Sequence, residues 1–243
     1  MRIPITITAM LAAAGCGGAP PAHREELGAA QHLAEADRHE QVAAEHHRAA
    51  IAAEEQGNIG PRMVCIDRPL AGTPYSGTEP IPVMRPCWRT DEIEAHEAAA
   101  RRNLQEAGEH RQSAAGLLQT ERQACRGVGP HEVAHGLFWH VDDIVRVESY
   151  REGGALRGVR VVFARVPGLD VNWVWHAATC EQARAAVMGH VPTFLPYSPL
   201  ALPDTRVRVV DVADGIEITI FSSRDDIAAA AAGRAQDLVA AAK

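Results

Sequence analysis

A seven-residue repeat of histidine and alanine runs through residues 22–56 and restricts what this part of the chain can fold into. The segment contains no proline, and Gly28 is its only glycine. Histidine occupies one position of the repeat and alanine another: His32, His39 and His46, and Ala29, Ala36, Ala43 and Ala50. Residues four apart share one face of a helix, so each of these histidines lies beside an alanine of the next turn. The pattern predicts one long helix with a narrow seam suited to close, coiled-coil pairing.

A second helix is predicted from Glu92 to about Cys125, and it supplies the partner. Asp91 precedes an acidic first turn and, with Glu94, fits a capping box. Between the two helices lies a segment, residues 57–89, whose six prolines predict a long loop without regular elements: Pro61, Pro69, Pro74, Pro80, Pro82 and Pro86. Two alanine-rich helices joined in this way are expected to form an antiparallel hairpin within residues 16–140.

The expected register of this hairpin brings histidines of the two helices together. Folding the chain about the loop makes paired residue numbers sum to roughly 147, with about 1.5 Å of rise per residue. His39 is then expected near His110, and His46 or His47 near His96. Two interpretations stay open: inter-helix sites for a metal ion or a proton, or a solvated, histidine-rich stalk.

The pattern changes to a period of two beyond Val141, which predicts a separate α+β domain over residues 141–243. Strands are expected at 144–149, 158–166, 206–212 and 215–222, and helices at 170–188 and 225–242. The order is ββαββα, a four-stranded antiparallel sheet with both helices on one face. Its expected core combines strand and helix residues: Val159, Val161, Phe163, Ile216, Ile218 and Ile220 with Trp173, Val187, Ile227 and Leu238.

Five cysteines occur in the chain, at positions 16, 65, 87, 125 and 180. Apart from Cys16, an even set of four predicts two disulfides in an exported protein. Three pairings are open, and the favoured one joins Cys65 to Cys87 across the proline-rich loop and Cys125 to Cys180 between the two halves. A metal site that uses Cys180 with His176, four residues before it, is the alternative.

The first 16 residues, MRIPITITAMLAAAGC, have the layout of a cleaved export signal. The Ala13-Ala14-Gly15-Cys16 junction resembles the lipobox of bacterial lipoproteins, which implies that residues 1–15 are removed and that Cys16 carries the lipid anchor. An ordinary secretory signal is the alternative. Segments such as HLAEADRHEQVAAEHHRAA and VPGLDVNWVWHAATCEQARAAVMGH resemble uncharacterised bacterial lipoproteins of similar size. Because Gly17 follows Cys16, the resemblance implies the periplasmic face of the outer membrane.

The charge balance excludes one class of partner. Removal of residues 1–15 takes away Arg2 and leaves 23 basic against 31 acidic side chains, a net charge of −8. Nucleic acids and anionic lipid headgroups require a concentrated basic face. Neither is therefore expected as the main partner; the membrane is contacted through the lipid, and another envelope protein is the expected partner.

The residues between the two halves include Pro130-His131-Glu132-Val133-Ala134-His135, which matches His-Glu-x-x-His. The motif resembles that of zincin metallopeptidases, which implies that His131 and His135 bind zinc and that Glu132 activates the bound water. A non-catalytic zinc, copper or nickel site that involves His131, His135 or His140 is a second interpretation. The third is a polar linker with incidental histidines.

Three functional hypotheses follow from these patterns. The first is a lipid-anchored, non-enzymatic binding or accessory protein of the cell envelope, which interacts with another envelope component or with a transition metal, zinc or copper, through its histidines. The alternative is a zinc-dependent hydrolase built on His131, Glu132 and His135. The last is a spacer that holds the sheet domain away from the membrane.

Overall fold

The computed structural model describes residues 27–56, 62–65, 68–69, 83–84, 87–191 and 193–241, and within residues 62–90 it describes the backbone alone. The lipobox and Cys16 lie outside the described residues. The fold is α+β, as predicted, and combines helices with a four-stranded antiparallel sheet.

Two long helices, α1 (Ala29–Glu55) and α2 (Glu92–Ala124), pack against each other. The carboxylate of Asp91 caps α2 by accepting a hydrogen bond from the N–H of Ile93 at 2.9 Å. The predicted start of the first helix at residue 22 is wrong, because Gly28 has extended backbone (φ −78°, ψ 170°) and α1 begins only after it. Gly28 lies against another helix end: a Cβ there would be 2.5 Å from the nitrogen of Gly189.

Short strands occur in the segment predicted to lack regular elements, so that expectation is wrong. β1 (Arg62–Cys65) pairs with β4 (Cys87–Thr90), and β2 (Arg68–Pro69) pairs with β3 (Val83–Met84). Both strands of a two-stranded ladder are edge strands, which tolerate proline. Cys65 and Cys87 are cross-strand partners in the backbone register. Their side chains lie outside the described set, so the Cys65–Cys87 disulfide stays a prediction.

The four-stranded sheet is built from two hairpins. Its strands follow the order β5-β6-β8-β7 and are β5 (Ile144–Glu152), β6 (Ala155–Phe163), β7 (Arg206–Val212) and β8 (Gly215–Phe221). β5 is longer than predicted and β6 begins earlier, because the strands pair up to a tight turn at Gly153 and Gly154. Both glycines have positive φ, 57° and 85°, as such a turn requires.

One core joins the sheet to both of its helices, α4 (Val171–Val187) and α5 (Asp225–Ala241). Its fully buried members include Val159, Val161, Phe163, Ile218, Ile220 and Val174. Trp173 and Leu238, predicted as core residues, are only partly buried at its margin. Leu137 and Phe138, which follow the His-Glu-x-x-His motif, are 0% and 1% exposed and belong to this core. The segment is therefore not a polar linker throughout.

Helix α2 is attached to the sheet domain through α4. Cys125, at the end of α2, forms a disulfide with Cys180 of α4, one of the two pairings favoured from the sequence. Arg184 of α4 lies with its Nε 3.5 Å from the Oε1 of Glu121 on α2. Among the residues that the structure describes, no helix has both the length and the apolar character needed to cross a membrane.

Candidate histidine sites

The contact between α1 and α2 is a coiled-coil seam in which small and polar layers alternate. On α1, the repeat of alanine and histidine is spaced in steps of three and four residues. The sequence of α2 carries the same spacing: Ile93, His96, Ala100, Asn103, Ala107, His110 and Ala114. The alanines of this seam on α1, together with Ala107 and Ala114, are buried. Alanine layers let the two backbones approach closely, and this brings the polar layers into contact.

Three polar layers cross the seam: His32 with His110, His39 with Asn103, and His46 with His96. The proximity of His46 to His96 and of His39 to His110 is confirmed, the latter two rings being stacked with centroids 5.6 Å apart. The paired residue numbers sum to 142 in each layer of the structure, so the predicted sum of roughly 147 is wrong. The difference amounts to about 7.5 Å of sliding along the helix axis. The alternating layers, rather than the midpoint of the loop, set the alignment.

The layer formed by His32 and His110 is enclosed. The two Nδ1 atoms are 2.9 Å apart, and the residues are 4% and 7% exposed. In such a contact one nitrogen must donate a proton and the other must accept it. The contact therefore accommodates at most one imidazolium, since two would place donor against donor.

The middle layer fixes the orientation of His39. Asn103 donates from Nδ2 to the carbonyl oxygen of Ala99 at 3.0 Å, so its Oδ1 accepts from the Nδ1 of His39, also at 3.0 Å. The Nε2 of His39 lies 3.5 Å from the Oε2 of Glu106. A hydrogen bond from Arg38 lowers the pKa of the nearby Glu35 carboxyl, and the charges of Arg38, His110 and His39 add to this effect.

The layer formed by His46 and His96 is more accessible. Their Nδ1 atoms are 3.1 Å apart, and both residues are half-buried. An open groove runs beside this part of the seam over Ala43 and Ala100, and its walls include His47, Glu97 and Leu104.

The His-Glu-x-x-His motif lies on a short helix, α3 (Pro130–His135), and its two histidines share one face. Their rings are stacked with centroids 4.4 Å apart. Trp139 continues the same face, with its ring 4.6 Å from that of His135 and 5.9 Å from that of His131. His135 donates from Nδ1 to the carbonyl oxygen of His131 at 3.0 Å. In the neutral imidazole, Nε2 of His135 is therefore the nitrogen with the free lone pair.

Buried groups of the sheet domain hold the end of α3 in place. Tyr197 donates its hydroxyl proton to the carbonyl oxygen of His135 at 2.5 Å. The carboxyl of Glu181 accepts from the N–H of Leu137 at 2.7 Å. Burial raises the pKa of Glu181 to about 7, against the opposing effects of hydrogen bonds from Ser198 and Leu137 and the charge of Arg184. Burial, and then the charge of Glu181, raise the pKa of Tyr197.

His140 does not join the other two histidines of the predicted metal site. Its ring lies edge-on to Trp173 at 5.9 Å, and its Nδ1 is 3.8 Å from the Oδ2 of Asp143. In the described part of the chain, no three or more side chains of His, Cys, Asp or Glu converge as a metal centre. The histidines of α3 therefore have no third protein ligand there. Glu132, the predicted catalytic base, lies in the same single turn of helix.

The alternative metal site at His176 and Cys180 is excluded by the disulfide. The sulfur of Cys180 is bonded to that of Cys125 and has no thiolate to offer to a metal ion.

Four residues of these sites were not predicted from the sequence: Asn103, Trp139, Glu181 and Tyr197. Two of them carried a usable signal. Asn103 stands seven residues from both His96 and His110, and Trp139 stands four residues after His135. Glu181 and Tyr197 meet the linker only through the tertiary fold, and no local pattern marks them.

Comparison with known proteins adds no relative: no family model, no curated protein and no solved structure matches this chain.

Proposed function

We propose that this chain is a lipid-anchored protein of the bacterial cell envelope, attached through Cys16, and that it binds a transition metal ion at His131 and His135 as a non-enzymatic accessory module. The observation that carries the proposal is the hydrogen bond from Nδ1 of His135 to the carbonyl oxygen of His131. Metal-binding histidines characteristically donate their second N–H to such an acceptor, which fixes the tautomer and leaves Nε2 for the metal.

The surroundings of the two histidines support a site that exchanges its ion. Imidazole ligands four residues apart on a helix suit zinc, copper and nickel. With two protein ligands among the described residues, the remaining positions fall to water or to a partner protein. Trp139 adds an aromatic face beside the rings, and such faces attract cations. The bonds to Tyr197 and Glu181 hold the site on a rigid base.

The envelope location is supported by two independent features. The first 16 residues resemble a lipoprotein signal, and the Cys125–Cys180 disulfide is typical of compartments outside the cytoplasm. Another envelope protein is the expected partner, and the outer membrane is the expected site of attachment.

A zinc hydrolase is the alternative function of the same residues. Catalytic zinc sites have three protein ligands and an open position for water. Because His140 points elsewhere, the described residues offer two ligands, which favours binding over catalysis. If Glu132→Gln abolished a peptidase activity while zinc stayed bound, the hydrolase would replace the accessory module.

The test is the metal content of residues 17–243, purified without a tag and with disulfides intact, after equilibration with zinc, copper or nickel and dialysis. We expect about one equivalent to be lost from the His131→Ala/His135→Ala variant. His176→Ala, which removes an exposed histidine of α4, is the matched control and should lose none. Equal metal content in both variants would contradict the proposal.

The anchor is tested separately in cells. Labelled fatty acid should be incorporated into the full chain and not into Cys16→Ser. The unsubstituted chain should also fractionate with the outer membrane. Labelling of both proteins, or of neither, would contradict lipidation at Cys16.

A further inference from the structure

We infer that His46 and His96 form a second metal site, which binds a copper(II) or nickel(II) ion across the seam between α1 and α2. The two Nδ1 atoms are 3.1 Å apart on different helices. Two nitrogens bound to one ion at about 2.0–2.1 Å and at a right angle lie about 2.9 Å apart. The observed separation is close to that of two adjacent positions of a square-planar or octahedral ion.

The separation is far from that of linear coordination and lies between those of right-angled and tetrahedral coordination. Tetrahedral zinc would spread the same two nitrogens to roughly 3.4 Å. A linear ion would require about 4 Å. The choice of nickel(II) and copper(II) therefore rests on the donors, because imidazole suits both ions and copper(II) binds such nitrogen sites most tightly of the divalent series.

Accessibility singles out this layer from the one at the other end of the seam. An ion bound by two histidines needs further ligands from solvent. His32 and His110 are almost fully buried and leave no room for them. His46 and His96 are half-buried, next to the groove whose walls include His47 and Glu97.

The charge around the layer also favours a cation. The first turn of α2 carries Glu92 and Glu94, and Glu97 follows His96 directly. These carboxylates offset the positive end of the helix dipole, which would otherwise oppose a bound cation. Arg101, which also lines the groove, lies 3.5 Å from Glu97 and is paired with its carboxylate.

Metal binding needs a defined proton arrangement. In the metal-free contact one of the two Nδ1 atoms carries a proton, and both must be free of protons to bind the ion. Each imidazole then keeps its proton on Nε2. The bound ion replaces a single hydrogen bond by two coordination bonds and ties α1 to α2.

The experiment uses the His131→Ala/His135→Ala chain, so that the site of the proposed function is not counted and either site can fail alone. Nickel(II) is titrated near neutral pH by calorimetry, and the thermal unfolding of the hairpin is followed by circular dichroism. We expect about one equivalent to bind and the unfolding temperature to rise with nickel. In His46→Gln and in His96→Gln the affinity for nickel should fall at least about tenfold. The rise in unfolding temperature at the same nickel concentration should be lost with it.

Glutamine keeps a polar, helix-compatible side chain at each position, so the variants should stay folded. His176→Ala removes an exposed histidine of α4, outside the seam, and is the matched control, with binding unchanged. Unaltered nickel binding in His46→Gln would overturn the inference. Loss of binding in His32→Gln/His110→Gln with retention in His46→Gln, or equal loss in His176→Ala, would overturn it too.

Discussion

Glu181 shows how a single buried carboxyl group links the exposed histidines to the interior. It is 3% exposed, and one of its oxygens accepts the N–H of Leu137, directly after the turn at Gly136. The turn leaves no room beside it: a Cβ on Gly136, which has φ 78°, would lie 2.6 Å from that oxygen. The protonation state of Glu181 therefore acts on the backbone that ends α3.

Glu181 should make the stability of the protein depend on pH. Its pKa rises from the ordinary value of 4.5 to about 7 in the folded protein, because burial disfavours the charged form. The folded state then holds a proton that the unfolded chain has released. The free energy of unfolding should fall as pH rises from about 4.5 to about 7, by on the order of 3 kcal/mol from this group.

Urea denaturation at several pH values checks this expectation. Glu181→Gln, which cannot ionise, should remove that component of the pH dependence. Glu152→Gln, at an exposed turn between β5 and β6, should leave it in place. The same pH dependence in both variants would show that Glu181 does not carry the proton.

At the scale of elements, the alanine layers decide how closely α1 and α2 approach. Ala36 is fully buried between two polar layers, whereas Ala34, two residues away on the same helix, is exposed. Ala36→Leu should lower the free energy of unfolding by roughly 1–3 kcal/mol, because the added carbons force the helices apart. Ala34→Leu should change it by less than about 0.5 kcal/mol. Chemical denaturation compares the two variants, and equal effects would mean that the seam is not closely packed.

The elements with strong local signals were predictable. Asp91 placed the start of α2 correctly. The helices of the sheet domain begin and end within one residue of their predicted bounds. Asp91 and Asp170 cap the first turns of α2 and α4, so the information for these two starts lies within a few residues.

Other features depend on contacts that no short pattern records. Leu137 and Phe138 are only two adjacent apolar residues, which are too few to show a helical or strand period of hydrophobicity. Their burial could therefore not be predicted, and the sequence allowed a polar linker. The start of α1 after Gly28, later than predicted, coincides with a close approach of Gly28 to Gly189, far away in the chain. The alignment of α1 with α2 can be predicted only if the seven-residue repeat on α2 is recognised. This repeat becomes evident when Asn103 is taken to occupy the same repeat position as His96 and His110.

At the scale of the whole molecule, the start of α1 is seated against the end of α4. The backbone of Gly28 meets that of Val187, Met188 and Gly189, and a Cβ there would lie 2.5 to 2.7 Å from three backbone atoms. Gly28→Ala should therefore lower the free energy of unfolding by roughly 1–3 kcal/mol.

The control for this substitution is a glycine in open space. Gly116, within α2, has no heavy atom within 4 Å of a would-be Cβ. Gly116→Ala should raise the free energy of unfolding by about 0.5–1 kcal/mol, since alanine favours the helix. Thermal unfolding of both variants gives the comparison. A stabilised Gly28→Ala chain would mean that α1 and α4 are not in contact.

The disulfide between Cys125 and Cys180 closes the intervening chain into a covalent ring that contains α3, β5, β6 and most of α4. A protease that cuts one peptide bond inside this ring opens it without releasing either half. The hairpin and the sheet domain then stay one molecule until the disulfide is reduced. Under oxidising conditions, a nick at the exposed surface around His131 would change the mass of the protein only by one added water. Two separate fragments would appear only after reduction.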